Sequence, residues 1–172
     1  MLKNPIICFL FFVLSLPAQA QIIRVKLNVI GLTCSACSFG TERSIRQLKF
    51  VDDVKMDLNS NIAEITFKKD IPVSVDQVVQ KVYDAGFSVG KVLVLYAFTD
   101  EKLEGKEWKS GPDTYEILNT PPAALSGEKE LTFVGEKYMP KKEYKQWKPL
   151  IDPITTINKV GSGSGHIYFV LF

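Results

Sequence analysis

Side chains that hold metals or do redox work are scarce in this chain: its 172 residues include one histidine, three cysteines and three methionines. No second cysteine pair and no histidine lies within metal-ligand spacing of Cys34 and Cys37, so the tetrahedral set of a structural zinc site is missing. A Ser-His-Asp set, a paired-carboxylate pattern and a phosphate-binding glycine loop are absent too, which removes other catalytic readings. Charge of one sign is also lacking. Lysine and arginine number 21 against 19 acids, and the excess falls to one once Lys3 is set aside, so no nucleic-acid partner is expected. Long hydrophobic runs end at Leu16, which excludes a multi-pass membrane protein. The remaining composition, 46% apolar and 23% charged, is that of a soluble globular chain with one core or two small ones.

The first twenty residues hold one early positive charge at Lys3, an apolar run from Ile6 to Leu16, then Pro17 and the triplet Ala18-Gln19-Ala20. That is the layout of a secretory signal peptide cleaved after Ala20, and the apolar run is too short to cross roughly 30 Å of hydrocarbon as a helix. Residues 1–20 are expected to be removed, and Cys8 with them. The mature chain is then periplasmic or secreted, has no membrane span, and keeps only Cys34 and Cys37. In an oxidising compartment paired thiols tend toward disulfides, yet a bridge across two intervening residues removes little chain entropy. The pair therefore reads as chemical, for metal binding or for thiol redox work.

Around the pair the periodicity alternates between strand and helix. Ile22 to Ile30 sets Val25, Leu27 and Val29 against Arg24, Lys26 and Asn28, and Gly31 ends this strand. Ser35 to Leu48 predicts a helix with Thr33 or Ser35 as its cap and Ala36, Phe39, Ile45 and Leu48 on its apolar face. Val51 to Leu58 and Ile62 to Lys68 form two strands around the turn Asn59–Asn61. A second helix is capped by Ser74, carries Val75, Val78, Val79 and Val82, and closes at Gly86; Phe87 to Phe98 returns to strand composition. The order β-α-β-β-α-β is that of an α+β, ferredoxin-like sandwich.

Ile22 to Val94 resembles the heavy-metal-associated domain of copper chaperones, copper-ATPase N-terminal modules and the periplasmic mercury-binding protein. The residues that carry the resemblance are "GLTCSAC" at Gly31 to Cys37, Glu42, Ile45 and Leu48 in the first helix, "VDDVKMDL", and "DAGF" at Asp84 to Phe87. Leu32, Thr41 and Phe50 depart from the family pattern, and none of them is a ligand.

The resemblance implies a metal held by Cys34 and Cys37, flanked by Thr33, Leu32 and Phe87. Soft ligands without a neighbouring acid favour Cu(I), then Hg(II). The expected function is non-enzymatic: capture of the ion and its transfer, by ligand exchange, to a metal transporter or another metal-binding protein. A thiol-disulfide oxidoreductase is the competing reading, although no Trp or Pro stands between Gly31 and Gly40 as it would in "WCGPC". Phe87 is expected to close over the metal loop, to fill the core, or both. Arg43, Arg46 and Lys49 are candidates for steering an acidic partner.

Residues 21–97 are thus expected to form the metal-binding domain and 98–172 a small β-rich C-terminal domain of no recognised family, with Pro121-Pro122 and Gly161 to Gly165 as loops. Met139 and His166 are too far apart in sequence to suggest a second site. Trp108, Tyr115, Tyr138, Tyr144 and Trp147 are read as core rather than as an exposed patch.

Overall fold

The computed structural model describes residues 21–158 and 165–172. The expected signal peptide, residues 1–20 with Cys8, and all of the Gly161 to Gly165 run except Gly165 lie outside the described residues. The fold is α+β: a ferredoxin-like βαββαβ unit extended by a β-rich C-terminal region. Its elements are β1 (Gln21–Ile30), α1 (Ser35–Arg46), β2 (Val51–Asp57), β3 (Ile62–Phe67), α2 (Val75–Asp84) and β4 (Ser88–Glu101), then β5 (Glu107–Ser110), β6 (Asp113–Ile117), β7 (Leu125–Val134), α3 (Lys141–Asn158) and β8 (Ile167–Leu171).

The described strands form one sheet, in the order β2-β3-β1-β4-β7-β8-β6-β5. The alternation seen in β1 places Val25, Leu27 and Val29 in the core, opposite Ile65 and Ala63 of β3 and Val94, Val92 and Val89 of β4. Helix α2 lays Val75, Val78, Val79 and Val82 on that face, and Ser74 caps it by accepting the Gln77 N–H at 3.3 Å.

The same sheet continues past Ala97. Strand β4 runs 14 residues and pairs with β7 along Leu93↔Thr132 to Phe98↔Gly127, so the boundary expected at 97/98 falls inside a strand. One aromatic cluster spans it: Tyr96 and Phe98 pack against Trp108 and Tyr115 at ring separations of 5.4 to 6.0 Å. Trp108, Tyr115 and Tyr138 are core residues as expected, while Tyr144 and Trp147 are half-buried against a smaller cluster.

That smaller cluster lies on the other side of the sheet. In β7 and β8, Phe133, Tyr168 and Val170 join the main core, and Val134 and Phe169, one residue out of phase, join Met139 and Ile151. Since successive strand residues point to opposite faces, α3 covers the face away from α1 and α2. This helix is missing from the sequence reading because Pro149 and Pro153 lie inside it, where each removes a backbone donor. Burial of Ile151 with Tyr144, Trp147 and Ile154 packed beside it offsets that loss.

Candidate metal centre

Cys34 and Cys37 stand where β1 hands over to α1. Gly31 makes the turn with φ +98°, a conformation that side chains rarely adopt, and a Cβ there would meet the Phe87 ring at 3.5 Å. Leu32 then anchors the loop in the core, and Thr33 and Cys34 are exposed.

The cap of α1 is Cys34 itself, neither Thr33 nor Ser35. Its backbone is extended, its carbonyl accepts the Ser38 N–H at 3.2 Å, and its sulfur accepts the Cys37 N–H at 3.1 Å. A sulfur thus does the work usually given to a serine or aspartate oxygen. The first turn holds no acidic side chain, so the positive end of the helix dipole faces the sulfurs uncompensated. In this structure the two sulfurs are joined as a disulfide, which is the oxidised form of the pair.

The buried side of α1 differs from the expected one. Ala36 and Phe39 are exposed, Phe39 at 65%, and the helix instead buries Ser38, Thr41 and Ile45. Two hydroxyls reach the core because each finds an acceptor within its own helix. Ser38 Oγ donates to the Cys34 carbonyl at 3.3 Å, and Thr41 Oγ1 donates to the Cys37 carbonyl at 3.1 Å. The backbone of each cysteine is therefore held by a hydroxyl residue one turn on. Sequence reasoning missed this pairing, although the signal was present: Ser38 and Thr41 each follow a cysteine by four positions.

Phe87 packs against the core, one of the two roles expected of it. Its ring lies beside Gly31 and is half-buried against the main core, while its N–H donates to the Val82 carbonyl at 3.1 Å. Arg46 is not free to steer a partner. It pairs with Glu42 and Asp53, each at 2.8 Å, and donates to the Val54 carbonyl on the outer edge of β2. Hydrogen bonding by Glu42 and then Asp53 pushes the guanidinium pKa further up, and Arg46 holds the Asp53 carboxyl below its ordinary range. Arg43 and Lys49 are exposed.

Met139 and His166 do not come together. Met139 is buried behind the sheet, and His166 sits on the surface with Nδ1 3.6 Å from Asp113. Among the described residues no cluster of three or more His, Cys, Asp or Glu side chains could hold a metal ion.

Residues 26–88 match the profile of the heavy-metal-associated domain. This stretch belongs to that family. The chain is 34% identical over 69 residues to a probable copper-transporting ATPase of Arabidopsis thaliana, an alignment covering 40% of the chain and 7% of the ATPase. The chain therefore spans a small fraction of that relative's length. Among solved structures it is similar to the yeast copper transporter domain Ccc2a, at 31% identity over 39% of this chain and 90% of that one, with a TM-score of 0.36. It is also similar to oxidised MerP from Ralstonia metallidurans, at 33% identity over 41% and 96% of the two chains, with a TM-score of 0.36. The match supports metal binding by this stretch.

Proposed function

We propose that the chain is an exported, non-enzymatic carrier that captures Cu(I) through Cys34 and Cys37 and passes it on by ligand exchange. The observation that carries the reading is the cysteine pair, Cys34 exposed and Cys37 half-buried, at the uncompensated N-terminus of α1, where N–H groups and the dipole favour thiolates. Two sulfurs and no acid in the first turn suit a soft, low-coordination ion, with Hg(II) the second choice. With Cys34 exposed, a partner's thiolates can enter without unfolding the carrier, which fits a metal transporter or another metal-binding protein as acceptor. No described helix is long and apolar enough to cross a membrane.

The disulfide adds a condition: it offers no thiolate, so the carrier must be reduced before it loads. Reduced protein competing with a Cu(I) chelator should bind one ion per chain, while oxidised protein, Cys34→Ser and Cys37→Ser should lose tight binding with the fold intact. Unchanged affinity in either variant refutes the site. A reduced pair that turns over disulfide substrates but binds no copper favours the oxidoreductase reading. Export predicts a mature N-terminus at Gln21, and recovery of Met1 or Lys3 in protein from its native compartment refutes it.

A further inference from the structure

Leaving tyrosine and tryptophan aside, the polar side chains buried among the described residues are Ser38 and Thr41, and both lie on α1. Packing alone would accept an alanine and a valine there, which carry no polar atom into the core. What the two hydroxyls have in common is their acceptor: one bonds the Cys34 carbonyl and the other the Cys37 carbonyl.

Satisfying the backbone does not explain these bonds. The Cys34 carbonyl already accepts the Ser38 N–H at 3.2 Å, and a carbonyl inside a helix accepts the N–H four residues on. Each hydroxyl is therefore an additional bond on a carbonyl that has a partner. A carbonyl and a Cβ of one residue share the same Cα, so holding the carbonyl fixes the direction in which the sulfur leaves the backbone. The two Cα atoms so held are 5.3 Å apart.

We propose that Ser38 and Thr41 are positioning residues for the metal, holding Cys34 and Cys37 at the separation that one soft ion bridges. The inference rests on the metal-binding reading above. A shell of two sulfurs has no third protein ligand to restrain it, and Cys34 is exposed, so any freedom left to either cysteine is lost on binding and weakens it. Two buried hydroxyls remove that freedom in advance. The same restraint keeps the thiols close when no metal is bound, which favours the disulfide over the open dithiol.

The test compares the parent with Ser38→Ala, Thr41→Val, the double variant, Thr41→Ser and Thr155→Val. The last removes hydroxyl bonds of the same kind, to the Ile151 and Asp152 carbonyls, from a helix without cysteines. One readout is Cu(I) competition with a chelator on reduced protein. The other needs no metal: the equilibrium in which the dithiol is oxidised to the disulfide as oxidised glutathione is reduced to two thiols. In the double variant Cu(I) affinity should fall by about tenfold or more. Its disulfide should become easier to reduce by at least about threefold. Thr41→Ser keeps the hydroxyl and should recover most of both even where urea shows it to be less stable, and Thr155→Val should match the parent. The single variants are read in the same way if the double variant does not fold. Parent-like values in Ser38→Ala, Thr41→Val and the double variant overturn the proposal, as does equal loss in Thr41→Ser and Thr41→Val, or in Thr155→Val. A parent that binds no Cu(I) refutes the metal reading instead, and the glutathione equilibrium then decides whether the hydroxyls hold the pair.

Discussion

At the scale of single residues, the first helix shows how hydrophobicity alone misplaces a buried face. Phe39 is among the most apolar side chains of α1 and lies mostly in solvent, whereas Thr41 is fully buried with its hydroxyl on the Cys37 carbonyl. Phe39→Ser should therefore change stability by no more than about 0.5 kcal/mol, the range of surface substitutions. Thr41→Asp should destabilise by several-fold more, because it places a carboxylate in a core with no cation among its hydrogen-bond partners. Urea unfolding of the two variants checks both, and a costly Phe39→Ser would restore the expected face. The reason for the misreading is local: a helical hydroxyl can satisfy itself on the carbonyl four residues back, so its polarity does not exclude it from the core.

At the scale of elements, α1 is tied to the outer edge of β2 by Arg46, whose guanidinium bonds Asp53 and the Val54 carbonyl. An edge strand with open carbonyls invites pairing with another chain, and a charged side chain laid along it discourages that. The Arg46 hydrogen bond holds the Asp53 pKa down, so stability from this link is present above the ordinary carboxylate range and is lost as pH falls through the depressed value. In Arg46→Gln the Asp53 titration, followed by carboxyl NMR, should move up toward the ordinary value. An unmoved titration rejects the link. Strand and helix periods made most elements legible: β1, β2, β3, α2 and β4 begin within a residue or so of where alternation, Ser74 and Gly31 place them. Helix α3 was illegible because its prolines signal loop, and only the face of β7 and β8 waiting to be covered makes a helix worth forming there.

At the scale of the whole molecule, the C-terminal region is joined to the metal-binding unit twice, through β4–β7 and through α2. The Asp76 carboxylate, in the first turn of α2, accepts the Tyr138 hydroxyl at 2.9 Å and the Tyr168 hydroxyl at 3.2 Å, and Tyr83 donates to the Lys137 carbonyl at 3.0 Å. Burial, then the Asp76 charge, pushes both tyrosine pKa values up, so the hydroxyls stay protonated and donate. The chain should accordingly unfold in one calorimetric transition. Tyr138→Phe should lower its stability by about 1.5–3 kcal/mol, the worth of a hydrogen bond to a charged group. Two separated transitions, or a Tyr138→Phe variant as stable as its parent, would show that the regions fold independently.

The sequence by itself determined the βαββαβ order, the inward residues of β1 and α2, and the place of Cys34 and Cys37 at a helix start, because each of these follows from local periodicity, turn chemistry or spacing. Tertiary structure decided that the sulfur of Cys34 caps α1, that Ser38 and Thr41 are buried in place of Ala36 and Phe39, and that β4 runs on to pair with β7. It decided also that α3 forms across two prolines and turns its lysines outward. These depend on contacts between residues far apart in the chain, Asp76 with Tyr168 or Val134 with Ile151, and such contacts leave no mark on the periodicity of either segment.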